Sequence, residues 1–174
     1  MQTISVIKGR ANMFHPTTYQ GTLNENYETV LLQLKGLTYE ESDLIANLSN
    51  AAALLNHFLD NINWVGFYLE KGEELVLGPF QGLPACIRIP FHKGVCGHAA
   101  TTKETVVVKN VHEFPGHIAC DGATNSEIVI PMIKDGQLIG VLDIDSPVLD
   151  RFNKTDQKYL EQFVQILVDT IPSI

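Results

Sequence analysis

Between Ile62 and Ile144 the chain carries five or six short runs of aromatic and β-branched residues, joined mostly by turns and loops instead of regular crossover helices. Strands connected in this way pair antiparallel, because parallel neighbours need a crossover of a dozen residues or more. The expected strands are Ile62 to Leu69, Glu74 to Phe80, Ile87 to Pro90, Thr105 to Val108, Ile128 to Ile133 and Leu138 to Ile144. Lys134-Asp-Gly-Gln137 makes a hairpin of the last two, since Asp-Gly is a strong turn signal. Helices are predicted outside this run. Tyr27, Val30, Leu31 and Leu34 recur at helical spacing within Asn24 to Leu37. Thr38-Tyr-Glu-Glu41 has the capping-box pattern and is expected to open a second helix through Asp60, with Leu44, Ile45, Leu48, Ala52, Leu55 and Leu59 on one face. Asn153 caps a closing helix that runs to Ile171, and a short helix over Val95 to Thr102 begins beside Cys96. The pattern is that of an α+β domain: a central antiparallel sheet of about six strands, helices packed on one face, and the other face open to a ligand pocket. Residues 1–21 show no clear period and are expected to form an N-terminal extension, leaving residues 22–174 as a single domain.

Charge and hydropathy narrow the function. A net charge of −8 on 174 residues argues against nucleic acid, whose phosphates call for a basic surface. No apolar run approaches the length of a membrane span, and no signal peptide opens the chain, so a cytoplasmic protein is expected. A reducing cytosol makes a disulfide framework an unsuitable role for the three cysteines. Cys86, Cys96 and Cys120 lie in turns rich in glycine and histidine, where thiol chemistry is more at home than core packing. Nine and then twenty-three residues separate them, which fits no common zinc site or paired-cysteine redox motif. No metal is therefore expected, even with His98 and His117 nearby.

Two strand patterns supply possible partners for a thiol. Trp64, Gly66 and Tyr68 share one face of their strand, so the two rings are either walls of a small pocket or an aromatic pair beneath a loop. Asp143 and Asp145 share a face near the end of an apolar strand. Counted outward from the hairpin turn, Glu127 falls near Ile144, within two residues, so Glu127, Asp143 and Asp145 either converge or form a solvated strand end. Carboxylates that meet raise one another's pKa, and a protonated member can donate to a substrate while the remaining charge suits an amino group. The residues leave two candidates for the nucleophile. Cys96 has the expected acidity of a helix start, whereas Cys120 follows His117 and lies closer to the acids.

Trp64-Val-Gly-Phe-Tyr68, Leu77-Gly-Pro-Phe-Gln-Gly82, Gly94-Val-Cys-Gly97, Pro115-Gly-His-Ile-Ala-Cys120, Ser126-Glu-Ile-Val129 and Gly140-Val-Leu-Asp-Ile-Asp145 together resemble the free methionine-(R)-sulfoxide reductases, which are stand-alone GAF domains. The resemblance covers about Asn24 to Ile171. It implies a GAF fold, often dimeric, and reduction of the R epimer of free methionine sulfoxide, with thioredoxin as the recycling reductant and no cofactor. It further implies that Cys120 attacks, Cys86 resolves through a disulfide and Cys96 supports. Trp64 and Tyr68 would line the methylsulfinyl end, and Glu127, Asp143 and Asp145 would make the polar substrate contacts. A GAF module that binds a small ligand without chemistry is the alternative on the same fold.

Overall fold

Alternation along the strands sends side chains to two faces of one sheet, and each face builds its own core. The computed structural model describes residues 17–116 and 121–172. In chain order the elements are α1 (Leu23–Leu37), α2 (Leu44–Phe58), β1 (Trp64–Glu70), β2 (Glu74–Gly82), β3 (Arg88–Pro90), α3 (Gly94–Thr102), β4 (Val106–Val108), a 3-10 turn (Val111–Glu113), β5 (Ser126–Lys134), β6 (Gln137–Ser146) and α4 (Lys154–Thr170). The strands form one six-stranded sheet in the order β3-β2-β1-β6-β5-β4, with every pairing antiparallel. This is the α+β architecture expected from the strand connections.

On the first face Val65, Phe67, Ile128, Ile130, Met132, Leu142 and Ile144 are buried against α1, α2 and α4. Tyr27 of α1 stacks on Tyr159 of α4 with ring centroids 5.0 Å apart, and its hydroxyl donates to Asp156 Oδ1 at 2.7 Å. Asp156 is fully buried and also accepts from Asn153 N and Arg151, so its desolvation is offset by a complete set of donors. The second face holds Trp64, Tyr68, Leu75, Ile89, Val129 and Val141, and there α3 packs Val95, Cys96, Ala99 and Ala100 onto the sheet. The expected pocket face is thus partly roofed by a short helix.

The helix boundaries differ from expectation at the caps between α1 and α2. Thr38 closes α1, its hydroxyl and its N–H both donating to Leu34 O. Asp43 caps α2 by accepting from Ala46 N at 2.8 Å, and Glu41 turns back to Asp43 N. Ile45, expected on the buried face, is exposed in the first turn of α2. A true capping box sits at Thr22 and Glu25, ahead of α1.

The β5–β6 hairpin sets the register of the site. Asp135 and Gly136 both take positive φ, 49° and 79°, so the turn has two residues and Lys134 pairs with Gln137. Ile133 pairs with Leu138 but Met132 pairs with Gly140, which leaves Ile139 as one extra residue on β6. That bulge pairs Glu127 with Asp145, one residue beyond Ile144 and inside the expected range. The shift is decisive, because one residue of register exchanges the two faces of a strand. A row then crosses the sheet as Gly82, Trp64, Asp145, Glu127 and Val108, and the next as Phe80, Gly66, Asp143, Val129 and Val106.

Candidate active site

The two rows bring Glu127, Asp143 and Asp145 to one place beneath α3, as expected if they were to converge. Cys96 joins them from the roof. Its Sγ donates to Glu127 Oε1 at 3.9 Å, and the ligand-type atoms of Cys96, Glu127 and Asp143 lie within 4.8 Å of one another. Among the described residues no other such group has the geometry to hold a metal ion. Asp143 Oδ1 is buried with no hydrogen-bond partner among the described residues, an acceptor placed for a ligand to satisfy.

Burial dominates the electrostatics. It pushes the Asp143 carboxyl up to about 6. It raises Glu127 well above the carboxylate range, reinforced by the charges of Asp143 and Asp145. Asp145 is raised in the same way, by burial first and then by Asp143 and Asp121. The charge of Asp143 therefore disfavours ionisation of Glu127 and Asp145, and the cluster resists carrying three charges at once. Cys96 occupies the first turn of α3, as predicted, but the acidity expected there is overturned. The thiol is 4% exposed, and burial together with the three carboxylates raises its pKa well above the ordinary value. Desolvation and like charge outweigh a helix terminus that contributes about a kcal/mol.

The aromatic pair is both packed and part of the pocket. Trp64 and Tyr68 stack with centroids 5.8 Å apart, and Trp64 also stacks on Phe80 at 5.3 Å. The glycine between them does not leave a hole for a ligand. A Cβ on Gly66 would lie 2.7 Å from the Trp64 ring and 2.9 Å from Phe80 Cα, so the position holds the close approach of β2 and the indole. The ligand space lies beyond the rings. One small compartment runs from Tyr68 under the start of α3 to the acid cluster. A second, smaller still, lies between Trp64, Tyr68 and the Leu83–Ala85 segment. Tyr68, Asp121, Asp143 and Asp145 border both.

Cys86 follows this segment. The Trp64 indole donates to Leu83 O at 3.1 Å and the Tyr68 hydroxyl to Cys86 O at 3.0 Å, so both rings hold the backbone that carries it. Cys86 is in a disulfide, whereas Cys96 is a free thiol. Cys120 and His117 lie outside the described residues.

Sequence patterning does not single out Asn63, Asp121 or Thr124, yet all three frame the site. Asn63 Nδ2 donates to Asp121 Oδ2 at 2.9 Å and to Thr124 Oγ1 at 3.1 Å. The only cue to Asp121 is its place in Cys120-Asp-Gly, in a long polar loop. The start of α3 also borders the pocket. Its N-cap, Lys93, provides no side-chain cap, and Lys93, Gly94 and Val95 line the larger compartment.

Comparison with known proteins points the same way. Residues 40–171 match the GAF domain family. The chain is 49% identical to the free methionine-R-sulfoxide reductase of Escherichia coli, covering 80% of this chain and 85% of that protein. It is 44% identical to the free methionine-R-sulfoxide reductase of Saccharomyces cerevisiae, covering 91% and 96%. Among solved structures, the free methionine-R-sulfoxide reductase of Neisseria meningitidis in complex with its substrate superposes with a TM-score of 0.86 at 44% identity, covering 91% and 95%.

Proposed function

The chain belongs to the GAF domain family, in the group that includes the free methionine-R-sulfoxide reductases, and on that premise we propose that it reduces free L-methionine-(R)-sulfoxide to L-methionine. The observation that carries this reading is a disulfide cysteine, Cys86, whose backbone is bound by the aromatic wall of an acid-lined pocket. A sensory module needs a pocket but has no use for that disulfide.

In the proposed reaction the Cys120 thiolate attacks the sulfoxide sulfur. A protonated carboxyl of the cluster, Glu127 or Asp145, gives its proton to the oxygen as the S–O bond breaks. The hydroxide so released attacks the Cys120 sulfur, the new S–S bond breaks, methionine leaves with that electron pair, and Cys120 becomes a sulfenic acid. The Cys86 thiol then displaces hydroxide from that sulfur, which leaves as water and closes a Cys86–Cys120 disulfide. With Cys96 free in a chain of three cysteines, the Cys86 disulfide supports this pairing. Two thiols are oxidised, one sulfoxide is reduced and one water forms. An external dithiol restores the enzyme, and we assign that role to thioredoxin. Trp64 and Tyr68 face the methylsulfinyl end, and the acids beside them favour a substrate with an amino group. Cys96 supports as a protonated thiol beside Glu127. The reading includes a homodimer and a reducing cytosol; no helix among the described residues is long and apolar enough to cross a membrane.

The test is turnover of racemic free methionine sulfoxide with dithiothreitol, each epimer followed separately by chiral chromatography. The R epimer should disappear and the S epimer remain. An untouched R epimer sinks the proposal.

A further inference from the structure

Four carboxylates border the pocket, and they are not equivalent. Glu127 and Asp143 are buried in its floor and Asp145 lies beside them, with Cys96 packed above. Asp121, less buried than Glu127 and Asp143, borders both compartments together with Asp143 and Asp145. Its Oδ2 accepts from Asn63 Nδ2 and its Oδ1 accepts from Ala123 N, each at 2.9 Å. Asn63 is fixed in turn by the sheet, its own N–H donating to Asp145 O at 3.0 Å. The place of the Asp121 carboxylate is thus set from the edge of β1 as well as by its own loop.

Resting on the reductase reading, we propose that Asp121 binds the α-ammonium of the substrate and that Asn63 is the positioning residue that aims it. A carboxylate offers about four acceptor sites, and Asn63 and Ala123 use two of them. The same two bonds hold its carboxyl below the usual range, whereas the floor acids are pushed upward. Asp121 is thus the acid whose charged form its own bonds favour, while burial favours the protonated form of the acids nearer the sulfoxide oxygen. The division also explains selection of the free amino acid, because a peptide nitrogen carries no charge for Asp121 to bind.

Asp121 follows Cys120 directly, so the experiment must separate substrate binding from an effect on the nucleophile. Wild type, Asp121→Asn, Asp121→Glu and Asn63→Ala are compared on free methionine-(R)-sulfoxide and on 4-(methylsulfinyl)butanoate, which lacks the amine, with dithiothreitol as reductant. Loss of a charge-assisted contact predicts a fall in kcat/KM of about 10- to 100-fold for Asp121→Asn on the free amino acid, mainly through KM. The amine-free substrate should be unaffected, and Asp121→Glu should recover part of the discrimination. Equal losses on both substrates, or no loss on either, overturn the assignment of Asp121. Asn63→Ala should reproduce the KM rise with kcat retained; a fall in kcat shared by both substrates marks a merely structural role and overturns its assignment. Failure of the wild type to consume the R epimer would strike the reductase reading instead. Calorimetric titration with L-methionine then still reads the Asp121 contact, which should weaken in Asp121→Asn; unchanged affinity refutes it.

Discussion

Replacing Asp143 with asparagine should stabilise the protein at neutral pH while removing activity. Burial raises this carboxyl from the ordinary 3.8 to about 6 in the folded state. Between those values the folded protein retains a proton that the unfolded chain releases. The contribution of this carboxyl to stability is therefore present below the window, declines as pH rises through it and is gone above it. At about 1.36 kcal/mol per unit, the cost is about 3 kcal/mol above pH 6. Glu127 and Asp145 are shifted in the same direction, so they extend the decline to higher pH. An amide of nearly the same shape carries no charge and avoids this cost, and it relieves the repulsion that Asp143 exerts on both neighbours. The assay is urea unfolding of the reduced proteins at about pH 4 and about pH 7.5. Near pH 4 the Asp143 carboxyl is neutral in the folded state, and the two proteins should agree within about 1 kcal/mol. Near pH 7.5 Asp143→Asn should be the more stable by about 3 kcal/mol. A wild type at least as stable as the variant at the higher pH, with the same dependence on pH in both, would refute the reasoning.

Two further outcomes follow from the pocket. Iodoacetamide applied to the fully reduced protein should modify Cys96 last, because its thiol is buried and its pKa is raised; peptide mapping that finds it labelled first contradicts the electrostatic account. Gly66→Ala should destabilise by about 3 kcal/mol, at the upper end of overpacking costs, since the new methyl meets both Phe80 and the Trp64 ring. A thermal midpoint equal to wild type would show that β2 can move aside.

The fold was legible because strand content, turn residues and helix periodicity agree along the chain. Asp135-Gly136 located the hairpin, and Asn153 located the start of α4. The acid cluster was legible only in part. Asp143 and Asp145 follow from alternation, but the face of Glu127 depends on an extra residue at Ile139, and a bulge there has no local signature in Leu138-Ile-Gly140. The raised pKa of Cys96 is hidden from the sequence for a similar reason. A helix start is visible in sequence, whereas three carboxylates contributed from β5 and β6 are not. Asn63 and Asp121 meet across fifty-eight residues, a distance at which pairing leaves no trace in spacing. Thr38 deceived because a threonine followed by a glutamate suits the end of one helix as well as the start of the next.

The bonds from Trp64 to Leu83 O and from Tyr68 to Cys86 O make the ligand wall and the redox segment one mechanical piece. Such a piece obeys thermodynamic reciprocity: a ligand that presses on the rings acts on the cysteine, and the bonding state of the cysteine acts on the rings. A ligand that prefers the dithiol form must lower the reduced form's free energy by the same amount that reduction tightens the ligand. The pocket then serves as a gauge of its own oxidation state, and product release and disulfide formation become two readings of a single coordinate.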